Sequence, residues 1–401
     1  MPFKFLIRSA AVLTVVVSAI LLIQSCSKNP AQLLKTVTQP DTVKKDSVKK
    51  PIHTTAYQDT VVTQWFKRNS NSLGSIAFDQ AFSIPLANGQ VYWLFGDTYY
   101  KDLNANGRFA CFTDTTGPGF NLHNSVLIQP STSNWTQSAT VNATNGPGTA
   151  GAQLFTAYNP SNKTNNYFWP LTGIEVNGKV YVYLFKLNGL TVEPPKIAIV
   201  DETSYAVDTT SYTLPDLNNI QFNIGMFKAA DGYIYIYGYK TTGVFGNTNI
   251  YVARMQPTST TWTFWNGSSW GSSAAAATVV ATTSSNAVSV SYINNKFVII
   301  SCAWNFGCGN DDSIFASASS RATGGFSSAI KIYDVPDRLN GRIPFFYTPL
   351  IHPEFTANNE FLFTYCINYY TQCINPCTNS TADPDQYRPR AVRVPFSVLG
   401  L

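Results

Sequence analysis

Five times along the chain an apolar, strand-forming run meets a two-residue polar pair and returns as an aromatic-rich run. The copies span residues 83–96, 172–185, 226–238, 290–301 and 353–366. Their turning points are Asn88-Gly89, Asn177-Gly178, Asp231-Gly232, Asn294-Asn295 and Asn358-Asn359. A two-residue hairpin loop of the mirror-image type needs positive φ at both central positions. Gly adopts this freely, and Asn or Asp tolerates it better than other residues do. Each copy therefore predicts an antiparallel hairpin. The turns lie 89, 54, 63 and 64 residues apart, close to one propeller blade per repeat after one long insertion. Radial repetition of small sheets follows, and the fold expected is all-β, a five-bladed β-propeller. No amphipathic helix is expected, since the one alanine run, Ala274–Ala277, sits in a Ser/Thr-rich loop.

The repeats begin only after a different kind of segment. Lys4 and Arg8 precede the apolar stretch Ala10–Ile23, which is too short to span a bilayer comfortably, so residues 1–26 read as an export signal. The stretch ends in Ile23-Gln24-Ser25-Cys26, which resembles a bacterial lipoprotein cleavage site with Cys26 as the lipid-bearing residue. More than one acyl chain on Cys26 would make a stable membrane anchor. Residues 27–60 are poor in aromatics and carry the near-duplicates Asp41–Lys45 and Asp46–Lys50, the pattern of a disordered tether. Residues 61–401 are left for the propeller. The expected location is the cell envelope, lipid-anchored at the outer membrane and facing either the periplasm or the outer surface. A monomer is expected.

Charge narrows the partners. The formal +5 lies entirely in residues 1–60, where eight Lys/Arg meet three Asp; the remaining 19 basic and 19 acidic residues cancel. No basic stripe exists for nucleic acid, so DNA and RNA are not expected partners. Beyond Cys26 there are six cysteines, Cys111, Cys302, Cys308, Cys366, Cys373 and Cys377. An even number in an exported chain suggests disulfides, with 15 possible connectivities. Short spacings favour Cys302–Cys308 and Cys373–Cys377, leaving Cys111 with Cys366. Zinc is the weaker alternative, because the spacings do not make paired thiolate knuckles and only three His are present.

In a propeller the innermost strand of each blade lines the axis, so residues at the starts of those strands are the candidates for chemistry. They are Phe78-Asp79-Gln80, Phe168-Trp169-Pro170, Gln221-Phe222-Asn223, Ser284-Ser285-Asn286, and Phe345-Phe346-Tyr347 running on to His352-Pro353-Glu354. Asp79-Gln80-Ala81-Phe82-Ser83 followed by Trp93-Leu94-Phe95-Gly96-Asp97-Thr98 resembles the first blade of the domain-of-unknown-function propellers of bacterial lipoproteins. Phe168-Trp169-Pro170, His352-Pro353-Glu354, Tyr365-Cys366-Ile367-Asn368 and Tyr387-Arg388-Pro389-Arg390 extend the resemblance over about residues 65–400. Those families are similar in turn to five-bladed glycosidases acting on arabinans, xylans and fructans.

That resemblance implies a sugar-facing cavity and marks Asp79 as a base or nucleophile. Glu354, among the five Glu beyond the tether, is the candidate acid; a glycosidase needs such a pair, about 5–5.5 Å apart for retention or about 6.5–9.5 Å for inversion. Candidate substrate-binding residues are Trp169 as a stacking platform, Asp97, His123, Asn124, His352, Tyr387 and Arg390. The chain departs from the glycosidase pattern where it reads Trp169-Pro170-Leu171-Thr172 and Asn223 in place of acids, so a complete carboxylate triad is not visible. Asp79 and Asp97 can equally serve as turn caps, and the histidines as satisfied structural groups. Asp102, Asn104 and Asn106 fit the first half of a calcium loop whose twelfth position holds Thr113 rather than Glu, which leaves a plain Asx-rich turn as the simpler reading. No other cofactor is expected. Three functions remain open: a glycoside hydrolase-like enzyme, a glycan-binding protein, and an envelope interaction scaffold.

Overall fold

A computed structural model describes residues 53–111, 122–141, 154–155, 166–188, 191–241, 247–303, 311–371 and 373–401. The export signal, Cys26, most of the tether and Cys308 lie outside the described residues. The fold is an all-β, five-bladed propeller. Blade I holds strands Ser75–Pro85, Val91–Tyr100 and Ser125–Gln129. Blade II holds Asn166–Val176, Lys179–Asn188, Thr191–Asp201 and Val207–Asp208. Blade III is built on Gln221–Lys228, Ile234–Thr241, Thr248–Met255 and Thr263–Trp265, and blade IV on Val288–Ile293, Lys296–Cys302, Ser313–Ser319 and Ile330–Asp334. Blade V takes Phe345–Ala357, Glu360–Asn368 and Pro389–Pro395. The first strand of each blade is its edge toward the axis, and these five inner strands touch in sequence, the fifth returning to the first.

The core is divided among the seams. Ile84, Leu94 and Val126 of blade I meet Val182 and Ala198 of blade II; Tyr183 and Ile197 meet Phe222 and Ile236; Tyr237 and Val252 meet Val290 and Ile299. Val298 and Ile314 then meet Phe361 and Phe363, and Phe78 and Trp93 meet Phe355 and Leu362. Each blade thus buries both of its faces, so its strands are apolar on both sides and rich in aromatics, which bury the most area per residue. At the axis the backbones come close. A Cβ on Gly225 would lie 2.2 Å from the Val290 carbonyl oxygen, so only glycine fits there.

All five predicted hairpins form, but they use two kinds of turn. Asn177-Gly178, Asn294-Asn295 and Asn358-Asn359 have positive φ at both positions, as the mirror-image loop requires. At the other two turns only Gly89 and Gly232 are positive. There the bonds Leu86 N–Gln90 O (2.9 Å) and Ala229 N–Tyr233 O (3.0 Å) close a longer loop that ends in a glycine bulge.

The ring closes through the chain's beginning, which the sequence reading assigned to the tether. Tyr57–Gln58 forms the outermost strand of blade V, pairing with Val392 and Arg393. Asp59 then caps a short helix, Thr60–Trp65, accepting from the N–H groups of Val61 and Val62 (3.1 and 3.0 Å), while its Oδ2 pairs with Arg393 (2.8 Å). The propeller therefore starts before Tyr57, and a helix exists where none was expected.

The cysteine pairing is also corrected. Cys111 bridges to Cys377, across the two-stranded sheet of Phe109–Ala110 and Thr381–Ala382. Cys302 and Cys366 are free and buried, and Cys373 is itself disulfide-bonded. Short sequence spacing misled because Cys302 and Cys366 sit on strands that turn them into the packed interior, while a small sheet brings Cys111 to the 373–382 excursion.

Candidate functional site

Asp79 sits midway along the first inner strand, where the backbone is distorted. Gln80 and Ala81 have φ of 66° and 123°, a region costly for residues with a Cβ, and the ladder to the second strand shifts register on both sides of Gln80. The bulge carries the Asp79 carboxyl toward blade V, where Tyr347 and Tyr387 both donate to Oδ2, at 3.0 and 2.8 Å. Oδ1 is buried with no hydrogen-bond partner among the described residues. It lies over Gly96, whose Cβ, if present, would come within 2.5 Å of it. Burial and then the nearby Asp97 carboxylate push Asp79 well above the ordinary carboxylate range, outweighing the two tyrosines.

Asp97, one residue beyond Gly96, is held differently. His123 Nδ1 and Trp169 Nε1 both donate to its Oδ1, at 2.7 and 2.9 Å. Oδ2 is bonded to no described residue, on a side chain 15% exposed. The His123 ring stacks on Tyr167 at 3.8 Å between centroids. Blade I supplies the carboxylate and the imidazole, and blade II the indole. The half-buried Trp169 is thereby fixed edge-on to an acid, its ring parallel to Phe185 at 6.3 Å between centroids. Further orphaned polar atoms gather along those strand starts: Gln80 Oε1, Gln221 Oε1, Asn223 Oδ1, Asn286 Oδ1 and Thr348 Oγ1. Most belong to neutral amides.

The other predicted residues fall elsewhere. Asn124 spends both ends of its amide pinning Phe155 and Phe168, with bonds of 3.0 to 3.2 Å. His352 is fully buried between blades V and I, bonded to Ser83 Oγ (2.6 Å) and Thr364 Oγ1 (2.9 Å), and burial with Arg393 lowers it to about 3, so it stays neutral. Arg390 is tied to Asp337 (3.0 Å), which also accepts from Tyr365 (2.8 Å). Tyr387 serves Asp79 alone among the candidate acids. Asn104 Oδ1 caps its own turn, accepting from Asn106 and Arg108 N–H groups (2.9 and 3.1 Å). Glu354 lines a cavity formed by the second halves of the inner strands, which Asp79 does not line. Asp79 therefore meets Asp97 and not Glu354.

The family described as Domain of unknown function (DUF5005) matches residues 59–396. The chain belongs to the DUF5005 family. No curated protein matches it. Among solved structures, this DUF5005 chain is similar to a protein of Bacteroides ovatus ATCC 8483 provisionally described as a hydrolase, with a TM-score of 0.61 and 18% identity over 84% of this chain and 90% of that one. An endo-arabinase of Bacteroides thetaiotaomicron VPI-5482 gives a TM-score of 0.45 and 11% identity, over 81% and 96% of the two chains. A thermostable family-43 glycoside hydrolase gives 0.41 and 14%, over 80% and 90%. The likeness is one of fold.

Two residues of this DUF5005 site escaped sequence reasoning. Tyr347 was noted as part of an inner strand but not as a partner of Asp79, and Tyr167 was not seen as the shelf for His123. The signal for both was present in their positions at the strand starts of blades V and II. What the sequence withheld was the bulge at Gln80–Ala81, which decides where Asp79 points.

Proposed function

We propose that this DUF5005 chain is an envelope-tethered, carbohydrate-recognising propeller, anchored through Cys26. It takes an oligo- or polysaccharide at the mouth where the inner strands begin. The observation that carries the reading is Asp97, oriented by His123 and Trp169, with its second carboxylate oxygen bonded to no described residue at the edge of the indole. Sugars present exactly two kinds of surface, C–H faces that pack on aromatic rings and hydroxyls that donate to carboxylates.

A hydrolytic reading is favoured by the pairing of Asp79 with Asp97. Burial drives Asp79 toward its protonated form, and Asp97 beside it accepts from His123 and Trp169. A protonated acid beside a second carboxyl is the arrangement that acid–base cleavage of a glycosidic bond uses. Calorimetric titration with arabinan, xylan, galactan and fructan oligosaccharides tests recognition. Trp169→Ala and Asp97→Asn should each weaken binding by about 10- to 100-fold, the worth of a stacking or charge-assisted contact. Unchanged affinity in both would reject the site. Reducing-end release in the same samples, lost in Asp79→Asn while binding persists, would establish hydrolysis; no release with firm binding would leave recognition alone.

A further inference from the structure

Blades III and IV do not stay packed along their whole seam. Tyr237 and Val252 of blade III meet Val290 and Ile299 of blade IV in the core. Beyond them the blades part around a groove of about 480 Å³, a size that suits a small ligand, and no residue of the inner strands lines it. Its cause is a divided edge. The third strand of blade III, Thr248–Met255, pairs with Thr263–Trp265 only at Ala253 and Arg254, and its first residues are covered instead by the short strand Ala281–Thr283. That strand forms one wall of the groove. Residues 325–327, between the last two strands of blade IV, contribute to the other.

The face that blade IV turns to the groove is mixed. In its ladder Ile299 opposes Ser317 and Ser301 opposes Phe315, so these four side chains share one face of the sheet. The other face, with Val298, Ile300 and Ala316, is apolar and packs on blade V. Ser301 and Ser317 are only 6% and 7% exposed, yet their hydroxyls are bonded to no described residue and are not sealed off from the groove. The Ser284 hydroxyl, on the facing wall, is likewise bonded to no described residue. Phe315 and Phe326 are half-buried lining residues with no aromatic partner among the described residues. No charged side chain lines the groove. Arg321 comes closest to doing so: a Cβ on Gly325 would lie 2.6 Å from its Nη2, which places the guanidinium beside the rim but outside the lining.

We propose that this groove is a second carbohydrate-binding site, away from the axis, which holds a short stretch of a neutral glycan. A buried hydroxyl without a partner is costly, and either a donor or an acceptor satisfies it. Sugar hydroxyls are both. The half-buried rings of Phe315 and Phe326 offer apolar surface for the C–H faces of the sugar. An ionic ligand is a poor occupant, because its charge would lose water and find no counter-charge in the lining. The groove's chemistry is its own, so this site stands whether or not the axial mouth binds sugar.

Hydrogen–deuterium exchange of the unaltered protein tests the site, with the neutral tetrasaccharides of arabinan, xylan, galactan and fructan each added at millimolar concentration. At least one should slow exchange in residues 280–284 and 313–327, which carry the groove's walls. Ser317→Val keeps the side-chain shape and loses the hydroxyl, and Phe326→Ser loses a ring. Each should weaken the apparent affinity of that effect by about 3- to 10-fold, the worth of one neutral contact. Asp97→Asn should leave it unchanged. No slowing in those residues with any of the four, slowing that neither variant weakens, or slowing that disappears in Asp97→Asn would overturn the proposal. Slowing confined to the strand starts around Asp97 would overturn it too, while leaving the axial reading in place. The measurement on the unaltered protein needs no variant, so it decides even if a variant folds poorly.

Discussion

Replacing Glu354 by Gln should stabilise the protein, and only above neutral pH. Burial pushes the Glu354 carboxyl from the ordinary 4.5 up to about 7, with the Ser83 hydroxyl opposing only in part. Below the ordinary value both folded and unfolded chains hold the proton, and the neutral acid and the amide are comparably unpartnered. Between 4.5 and about 7 the folded chain binds a proton that the unfolded chain has released, so wild-type stability falls as pH rises. Above about 7 the loss is complete. At about 1.4 kcal/mol for each pH unit of that interval, it reaches about 3 kcal/mol. Gln keeps the shape and carries no charge, so it escapes this loss. Urea unfolding of the wild-type protein and the variant, at about pH 5 and about pH 8, measures the difference. The variant should gain about 3 kcal/mol at the higher pH and little at the lower. Equal differences at both pH values, or a variant that is weaker at the higher one, would mean that the carboxyl is solvated or paired and would refute the reasoning.

Two further predictions concern how the ring is held. Changing Cys111 and Cys377 together to Ser should cost about 3–5 kcal/mol, because the bridge spans a sequence separation of 266 residues. Non-reducing peptide mapping should recover the Cys111–Cys377 pair, with Cys302 and Cys366 alkylated only after unfolding; a bridge between Cys111 and Cys366 would contradict the structure. Deleting the chain through Asp59 removes the Tyr57–Gln58 strand, the Arg393 ion pair and the helix cap at once. Urea midpoints should then drop by the equivalent of about 2–4 kcal/mol, and an unchanged midpoint would show that blade V closes without its outermost strand.

The architecture was legible because its causes are local. Turn chemistry at Asn177-Gly178 or Asn358-Asn359 and the apolar runs beside it specify a hairpin without reference to the rest of the chain, and five such hairpins leave few ways to bury all their faces. Asp79 and Trp169 were legible as candidates by their places on inner strands, and Asp97 and His123 by their places at the exit of the second strand and just before the third. Their grouping was not, because it depends on where blades I, II and V place side chains across seams joined by residues far apart in sequence. The bulge at Gln80–Ala81 turns Asp79 to Tyr347 and Tyr387, while Glu354 lies on the half of its inner strand that lines the other end of the axis. The same holds for Cys111 with Cys377 and for Tyr57 with blade V, contacts formed only when the ring closes. Period, turn type and charge balance are properties of short stretches, and the sequence by itself determined them. Which carboxyls meet, which cysteines pair and which strand closes the ring depend on long-range packing, and only the tertiary structure decided them.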